Sequence, residues 1–195
     1  MNIPNILTSF RILLIPLFVV LFYLPYKWSY LASAACFALA AITDWFDGYL
    51  ARKLDQTTPF GAFLDPVADK LMVAVVLVLM TERFGTAEFA IPAAVIVGRE
   101  IVISALREWM AELGERASIA VSYIGKVKTT LQMIAILVLL AVIPDHGHWM
   151  MKVGYGLLYL AVILTLWSAF LYLRAAWPLL TRNMGADEDN NGKSG

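Results

Sequence analysis

The stretch DWFDGYLARKLDQTTPFGAFLDPVAD, residues 44–69, places four aspartates and an arginine in a chain that is 61% hydrophobic and 15% charged. If its first part is a helix turning by ~100° per residue, five residues share an arc of about 140°. These are Asp44, Asp47, Gly48, Ala51 and Arg52. One helix face would then carry two carboxylates, a guanidinium and two small residues that let another group approach the backbone.

Two further aspartates, Asp65 and Asp69, are four residues apart and share a face of the next helix. The connection from Lys53 to Phe60 is short, so we expect antiparallel helices whose facing ends gather the four carboxylates. An aspartate at the centre of a membrane span costs ~2.5–3.5 kcal/mol, and neighbouring carboxylates also repel each other. Hard divalent cations such as Mg²⁺ or Mn²⁺ relieve both costs. With Arg52, two such ions would form a site for a diphosphate.

Apolar segments fill most of the remaining chain. A membrane-spanning helix needs ~20 mainly apolar residues, and hydropathy indicates six segments of roughly that length. The predicted spans are 6–24, 28–48, 66–82, 89–106, 123–143 and 153–174. We therefore predict an all-α integral membrane protein, a bundle of six transmembrane helices. The formal net charge is zero, which gives no support for a nucleic-acid partner, and the single cysteine, Cys36, excludes an internal disulfide.

Basic residues in the loops and near the span ends predict the orientation, because Lys and Arg are enriched on the cytoplasmic side. With the N-terminus inside, three fall outside, namely Lys27, Arg83 and Lys152, and ten fall inside. The ten are Arg11, Arg52, Lys53, Arg107, Arg116, Lys126, Lys128, Arg174, Arg182 and Lys193. Both termini and the aspartate-rich helix ends are therefore predicted in the cytoplasm.

The two ends of the chain are predicted to differ from the bundle. Asn2–Phe10 is short, partly polar and interrupted by Pro4, so we expect a short interfacial segment before the first span. Gly185–Gly195 is rich in Gly, Asn, Asp and Glu and has no apolar period, which is typical of disorder. We divide the chain into a membrane domain over residues 1–182 and a disordered cytoplasmic tail over residues 183–195.

Each residue of the 44–69 stretch also has a purely structural interpretation. Asp65 precedes Pro66 and is compatible with a helix N-cap. Asp44 alone is compatible with a solvated helix end, and a single glycine such as Gly61 with a packing or turn position. Arg52 alone is compatible with an anchor at the cytoplasmic surface. The combination of all these residues at this spacing favours the functional interpretation.

The stretch resembles the signature of the CDP-alcohol phosphatidyltransferase family, D-x2-D-G-x2-A-R-x8-G-x3-D-x3-D, at every defined position. The resemblance implies an enzyme with six membrane helices that forms a homodimer in the membrane lipid. It also implies two divalent metal ions per active site, Mg²⁺ or Mn²⁺, beside a CDP-linked lipid. The protein would be a multi-pass protein of the bacterial inner membrane with its active site on the cytoplasmic side.

The resemblance further implies a role for each signature residue. The metal ligands would be Asp44, Asp47, Asp65 and Asp69. Asp69 would alternatively be the catalytic base that takes the proton from the acceptor hydroxyl. The cytidine diphosphate would be bordered by Gly48, Ala51, Arg52 and Gly61. The implied reaction is attack of an alcohol oxygen on the lipid-side phosphorus, with release of CMP.

Three other segments, Pro4–Arg11, Arg99–Gly114 and Gly125–Met133, resemble the branch of the family that accepts sn-glycerol 3-phosphate, and the similarity extends over residues 1–175. This implies transfer from CDP-diacylglycerol to glycerol 3-phosphate, with phosphatidylglycerol phosphate as the product. A phosphate on the acceptor needs cationic ligands. The predicted ligands are Arg107, Lys126, Lys128 and Arg11. The predicted donor-phosphate contacts from the N-terminal segment are Asn5 and Thr8.

Several of these basic residues have alternative roles. Arg107, Lys126 and Lys128 are also compatible with ordinary charges of an inner loop. Arg99 lies within an apolar run, so we expect it to face the bundle interior. There it either contributes to the site or pairs with Glu100, Glu108 or an aspartate.

Three other functions are compatible with parts of the sequence. Within the same family, the acceptor would be serine, inositol phosphate or phosphatidylglycerol. A cation transporter would also use intramembrane acids, but here the acids gather at one boundary beside an arginine that opposes cation passage. A scaffold protein would predict that Asp47→Asn and Asp69→Asn have no effect in any assay. The signature favours the phosphatidyltransferase.

Overall fold

The computed structural model describes residues 3–54, 59–112, 123–143 and 149–191. These residues form six α-helices and no strand, which confirms the predicted all-α class. The helices are α1 (Ile3–Tyr23), α2 (Trp28–Leu54), α3 (Pro59–Phe84), α4 (Ala87–Glu112), α5 (Tyr123–Ala141) and α6 (Trp149–Asn191). Each contains or closely matches one of the six predicted apolar segments, because hydropathy and helical length are both local properties of the sequence.

The N-terminal segment differs from its predicted form. α1 runs without interruption from Ile3 to Tyr23, so no separate interfacial segment precedes the first long helix. Pro4 is the second residue of α1, and a proline in the first turn removes no intrahelical hydrogen bond. Thr8 and Arg11 are 0% and 1% exposed. Their polar side chains therefore face the other helices and not an interface.

The last helix also extends further than predicted. α6 continues to Asn191 and so includes residues 183–191, for which the sequence predicts disorder. Adding residues to an existing helix is far less costly than nucleating a new one, so α6 extends past the apolar segment. Residues 192–195 lie outside the described residues. The boundary between a membrane domain and a tail stays a prediction.

The six helices share one apolar core. α1 packs on α2 and α3, α5 packs on α2 and α6, and α4 packs on α3 and α6. Each helix contributes at least one fully buried large side chain to this core. Examples in helix order are Phe18, Phe37, Leu77, Phe89, Ile136 and Leu158. Most candidate site residues lie on α2 to α5, toward the helix ends next to residues 55–58 and 113–122, whereas Arg11 and Thr8 lie on α1.

A short turn sets α4 beside α3. Gly85 follows the last residue of α3 with a φ of 58°, and its N–H donates to the Thr81 carbonyl over 3.0 Å. This left-handed conformation at the end of a helix favours glycine, because it places a Cβ too close to the backbone. The Thr86 carbonyl then accepts from the amides of Phe89 and Ala90 as α4 begins.

At the end of the bundle far from the signature, Arg83 contacts all of the first three helices. Arg83 of α3 donates through Nη2 to the Phe22 carbonyl over 2.7 Å. Its guanidinium lies 3.5 Å from the centre of the Phe22 ring and 4.5 Å from that of Tyr30. The Tyr23 hydroxyl donates to Glu82 beside it. These contacts join α1, α2 and α3 at the end that the orientation rule predicts outside.

The outer surface of the bundle is unusually apolar for a protein surrounded by water. Large apolar side chains are exposed on all six helices, including Leu13, Leu31, Val78, Ile101 and Ile163 at 63–68% exposure. Contiguous exposed apolar surface marks a protein or membrane contact. Two segments of the described chain, Ala87–Glu112 and Trp149–Arg174, are long and apolar enough to cross a membrane. Each has 26 residues, or about 39 Å of helix, against a hydrocarbon core of ~30 Å.

Candidate active site

The signature is divided between two consecutive helices. Asp44–Arg52 belongs to α2, which ends at Leu54, and Gly61–Asp69 belongs to α3, which begins at Pro59. This start excludes Asp65 as an N-cap, because Asp65 is the seventh residue of α3. Five signature side chains lie outside the described residues, and their predicted roles stay predictions. They are those of Asp47, Gly48, Ala51, Arg52 and Asp65.

Asp44 forms an ion pair with Arg11, which α1 brings to the signature. Arg11 Nη1 lies 2.8 Å from Asp44 Oδ1. The arginine side chain is 1% exposed, whereas that of the aspartate is 48% exposed. A buried guanidinium is stable only with an anion at hydrogen-bonding distance. Asp44 supplies this anion while nearly half of its own side chain stays accessible.

Asp69 lies between two spaces in the bundle. On one side it shares with Arg11 a small space where α1, α2, α3 and α5 meet. On the other side it faces a larger cavity. Its charge is repelled by those of Asp44 and Glu100, and it is attracted by Arg11 and Lys70. Both described signature carboxylates lie beside Arg11: Asp44 pairs with it, and Asp69 lines the same small space.

The larger cavity has a volume of about 520 Å³ and lies between α3, α4 and α5. This is within the range of ~300–1,000 Å³ that is typical of ligand sites. Toward the middle of the helices its wall is apolar, with Val73, Ala74, Ile96, Val97 and Met133. Its polar lining residues are Asp69, Lys70, Glu100, Ser104, Glu108, Thr129 and Gln132. The cavity therefore changes from apolar to polar toward the predicted cytoplasmic end.

A network of charged and polar side chains joins α4, α5 and α6 beside this cavity, with Glu100 in the cavity lining and Arg99 and Lys128 buried. Glu100 Oε1 accepts from Arg99 Nη1 over 2.7 Å and from Lys128 Nζ over 3.2 Å. Arg99 Nη2 donates to Ser168 Oγ over 2.8 Å, and Ser168 donates in turn to the Thr165 carbonyl. Arg99 faces the bundle interior as predicted, and the structure confirms its pairing with Glu100.

The predicted ligands of the acceptor phosphate have different surroundings. Lys128 is 6% exposed and pairs with Glu100. Arg107 is exposed; it donates to the Tyr172 hydroxyl over 2.8 Å, with its guanidinium 4.9 Å from the ring centre. The side chain of Lys126 lies outside the described residues. Arg11 lies on α1 against Asp44, away from the other three in sequence and on a different helix.

The predicted donor contacts are only partly described. Thr8 is fully buried in α1, one turn before Arg11. Gly61 is buried near the start of α3. The side chain of Asn5 lies outside the described residues.

The donor atoms of the signature fit a hard divalent cation. Asp44 and Asp69 offer carboxylate oxygens, the ligands that Mg²⁺ and Mn²⁺ prefer. On their helices Asp47 follows Asp44 by three residues and Asp65 precedes Asp69 by four, so each pair shares a helix face. Within the described side chains, no three His, Cys, Asp or Glu come together. A complete metal site would therefore need Asp47 or Asp65.

Comparison with known proteins identifies the family. The profile of the CDP-alcohol phosphatidyltransferase family matches residues 1–167, most of the 195-residue chain. The chain belongs to the CDP-alcohol phosphatidyltransferase family. The family profile therefore includes α1 to α5, the whole signature and the beginning of α6.

Curated relatives within this phosphatidyltransferase family bear one name. A protein of Pseudomonas fluorescens is 60% identical over 181 residues, 92% of either chain, and is named CDP-diacylglycerol–glycerol-3-phosphate 3-phosphatidyltransferase. Proteins with that name from Sodalis glossinidius and Salmonella typhimurium are 58% and 57% identical over 90% of this chain. They are covered over 95% and 94% of their own lengths.

Sequence reasoning missed several residues of this phosphatidyltransferase that the structure brings to the site. Thr129 and Gln132 line the cavity; they lie in the Gly125–Met133 segment, from which the sequence predicts a role only for its lysines. Tyr172 accepts from Arg107 and lies in no segment that the sequence singles out. The sequence pattern predicts for Glu100 only a role as a partner of Arg99. An acidic residue within an apolar run is itself a signal of an interior position, and this signal would have identified Glu100.

Proposed function

We propose that this chain transfers the phosphatidyl group of CDP-diacylglycerol to sn-glycerol 3-phosphate, giving phosphatidylglycerol phosphate and CMP. The complete signature, with Asp44 and Asp69 both beside Arg11, is the observation that carries the proposal. The names of relatives that are 57–60% identical along nearly their whole length support this choice of substrates.

In the proposed reaction the glycerol hydroxyl attacks the phosphorus that bears the diacylglycerol. A new oxygen–phosphorus bond forms, and the bond from this phosphorus to the bridging oxygen of the diphosphate breaks, so that CMP leaves. Asp69 faces the cavity and would accept the hydroxyl proton. The diphosphate would lie beside Gly48, Ala51, Arg52 and Gly61, with Asn5 as a further contact. Thr8 is also predicted to contact it, but its side chain is fully buried in this conformation.

We assign two Mg²⁺ or Mn²⁺ ions to the carboxylates of Asp44, Asp47, Asp65 and Asp69. Bound ions of this kind supply positive charge that offsets the charge of the diphosphate and of its leaving group. The chain contributes the oxygen ligands and, through Arg11, a fixed charge beside Asp44. If Asp69 is a ligand in every state, another group must take the proton.

The acceptor phosphate would bind at the polar end of the 520 Å³ cavity, whose lining includes Glu108 and Thr129, the chain neighbours of Arg107 and Lys128. Arg107 and Lys126 are the first candidates, followed by Lys128. Arg107 is exposed and its hydrogen bond to the neutral Tyr172 hydroxyl leaves its charge uncompensated by that contact. Lys128 shares Glu100 with Arg99, so this network has a net positive charge.

We further propose that all six helices cross the bacterial inner membrane, with the site on the cytoplasmic side, and that two copies associate in the lipid. Exposed apolar side chains on every helix support the first statement, and the excess of cytoplasmic Lys and Arg supports the orientation. Light scattering of the purified protein, corrected for bound detergent, would measure the mass expected of a dimer.

The experiment that tests the proposal measures CMP release by the purified protein with CDP-diacylglycerol and Mg²⁺. Parallel reactions contain glycerol 3-phosphate, serine, inositol phosphate or phosphatidylglycerol, and each is repeated with EDTA. We expect CMP only with glycerol 3-phosphate and only without EDTA. Release with a different alcohol would retain the family reaction and overturn the acceptor. Release that EDTA leaves unchanged would overturn the metal dependence.

Replacement of Asp69 by Asn tests the proposed base. The amide cannot accept the hydroxyl proton, so we expect kcat to fall by ~10²–10⁴, the usual contribution of a positioned base. Lys152→Gln is a suitable control, because Lys152 is exposed near the start of α6, at the end of the bundle far from Asp69. This variant should retain full activity. A rate for Asp69→Asn within threefold of the control would remove Asp69 from the reaction.

A further inference from the structure

We propose that Arg11 is a positioning residue that holds the Asp44 carboxylate in place for a divalent cation, and that it does not bind the acceptor phosphate. This inference rests on the proposed metal-dependent reaction. This role replaces the one that the sequence alone predicts for Arg11. It rests on a contact between α1 and α2 in which Asp44 belongs to the signature and Arg11 does not.

The surroundings of Arg11 exclude a phosphate ligand in this conformation. Its side chain is 1% exposed. The space that it lines with Asp69 measures about 10 Å³, which is at most enough for one water molecule. A phosphate group is several times larger than a water molecule. Arg11 is also absent from the lining of the 520 Å³ cavity, where an acceptor has room to bind.

The ion pair restrains a side chain that would otherwise be mobile. Asp44 is 48% exposed, and an exposed side chain samples several rotamers. Arg11 has no such freedom, because the core encloses it. By pairing with Oδ1 over 2.8 Å, the buried guanidinium selects one orientation of the carboxylate. Ligating carboxylates in metal sites are commonly held by hydrogen bonds from neighbouring groups in this way.

Arg11 also offsets the repulsion between carboxylates before a metal binds. Asp44 and Asp69 repel each other, and Arg11 attracts both. Without this positive charge, Asp44 would turn toward solvent and away from Asp69. The same arginine opposes a bound cation electrostatically, so its replacement has two opposite effects on metal affinity. We infer that loss of orientation outweighs the loss of repulsion, because Asp44 has enough exposure to leave the site.

The test compares Arg11→Met and Arg11→Lys with the natural protein, with Arg83→Met as the matched control. Arg83 of α3 contacts α1 and α2 at the far end of the bundle and, like Arg11, is at least partly enclosed. The first measurement is Mn²⁺ affinity without substrates, from the paramagnetic signal of free Mn²⁺. The second is the KM for glycerol 3-phosphate at saturating Mn²⁺. Arg11→Lys keeps a buried positive charge and so provides a folded variant if Arg11→Met does not fold.

We expect Arg11→Met to weaken Mn²⁺ binding by ~10–100-fold, the usual effect of losing a group that orients a ligand. Arg11→Lys should recover part of this affinity, Arg83→Met should bind Mn²⁺ normally, and the KM should change by less than threefold. Unchanged or tighter Mn²⁺ binding by both Arg11 variants, or a KM raised tenfold, would overturn the inference. Failure of the natural protein to bind Mn²⁺ would instead overturn the metal site itself, and the inference with it.

Discussion

Three basic side chains in the described residues are buried, and each has a carboxylate partner. Arg11 pairs with Asp44, while Arg99 and Lys128 share one oxygen of Glu100. Burying a charge costs several kcal/mol unless a partner and further hydrogen bonds compensate. These pairs therefore do more to select the arrangement of the helices than to increase stability. Removal of one partner should therefore lower the stability of the fold by much more than the intact pair contributes to it.

Glu100→Gln tests how much stability is lost when a buried basic residue loses its carboxylate partner. The amide leaves Arg99 and Lys128 close together without their shared anion, so we expect a loss of about 3–5 kcal/mol. In a chain of this length that lowers the melting temperature in detergent by about 10 °C. Glu108→Gln, two turns further along α4 and exposed, should melt within 2 °C of the natural protein. Equal melting temperatures for the two variants would contradict the proposed importance of the shared anion.

At the scale of the helices, α5 and α6 pack closely at Gly154. A Cβ built on Gly154 would lie 2.6 Å from both Cγ and Cδ2 of Leu139. Leu139 is 1% exposed, so it has little room to move away. Small residues at such positions let helix backbones approach each other within a membrane protein. Gly154 is thus a packing position of the α5–α6 pair.

Alanine at Gly154 should destabilise the pair, whereas alanine at Gly156 should not. Gly156 lies on the same helix with no atom within 4 Å of a built Cβ, so Gly156→Ala gains up to about 1 kcal/mol from helix propensity. Gly154→Ala has the same gain but incurs about 1–3 kcal/mol for overpacking. Thermal unfolding of both variants measures the difference. In a Leu139→Ala background the penalty at Gly154 should disappear; a penalty that persisted there would show that Leu139 is not its cause.

At the scale of the molecule, the number of membrane crossings decides on which side Glu112 and Lys152 lie. If all six helices cross, α5 returns the chain to the other side, so Glu112 is cytoplasmic and Lys152 is outside. If only α4 and α6 cross, the two residues lie on the same side. Both are exposed at a helix end.

Single cysteines at these positions distinguish the two arrangements. Each cysteine is introduced into a protein that carries Cys36→Ala, so that the buried natural cysteine cannot contribute to the labelling. With a membrane-impermeant maleimide on intact spheroplasts, we expect Lys152→Cys to react and Glu112→Cys to react only after lysis. Reaction of both in intact spheroplasts, or of neither, would contradict the six-span arrangement. Lys27→Cys is predicted outside and serves as the positive control.

The sequence by itself determined the helical class, the approximate bounds of six helices and the signature that identifies the family. These are local properties: hydropathy needs only a window of residues, and the aspartate spacing needs only the helical period. The same local reasoning predicts a separate interfacial segment over Asn2–Phe10 and disorder after residue 182. The structure has helix at both places, because a proline in a first turn is tolerated and an existing helix extends readily.

The tertiary structure decided which charges meet. Arg11 and Asp44 lie on different helices, and Arg99 and Ser168 are 69 residues apart. The sequence shows on which face of a helix a charged residue lies. The partner of that residue depends on how each helix is rotated and how closely the helices pack. That rotation follows from contacts such as Gly154 against Leu139, which involve the whole core. For this reason the sequence identified the carboxylates of the site, and only the packed bundle assigned Arg11 to one of them.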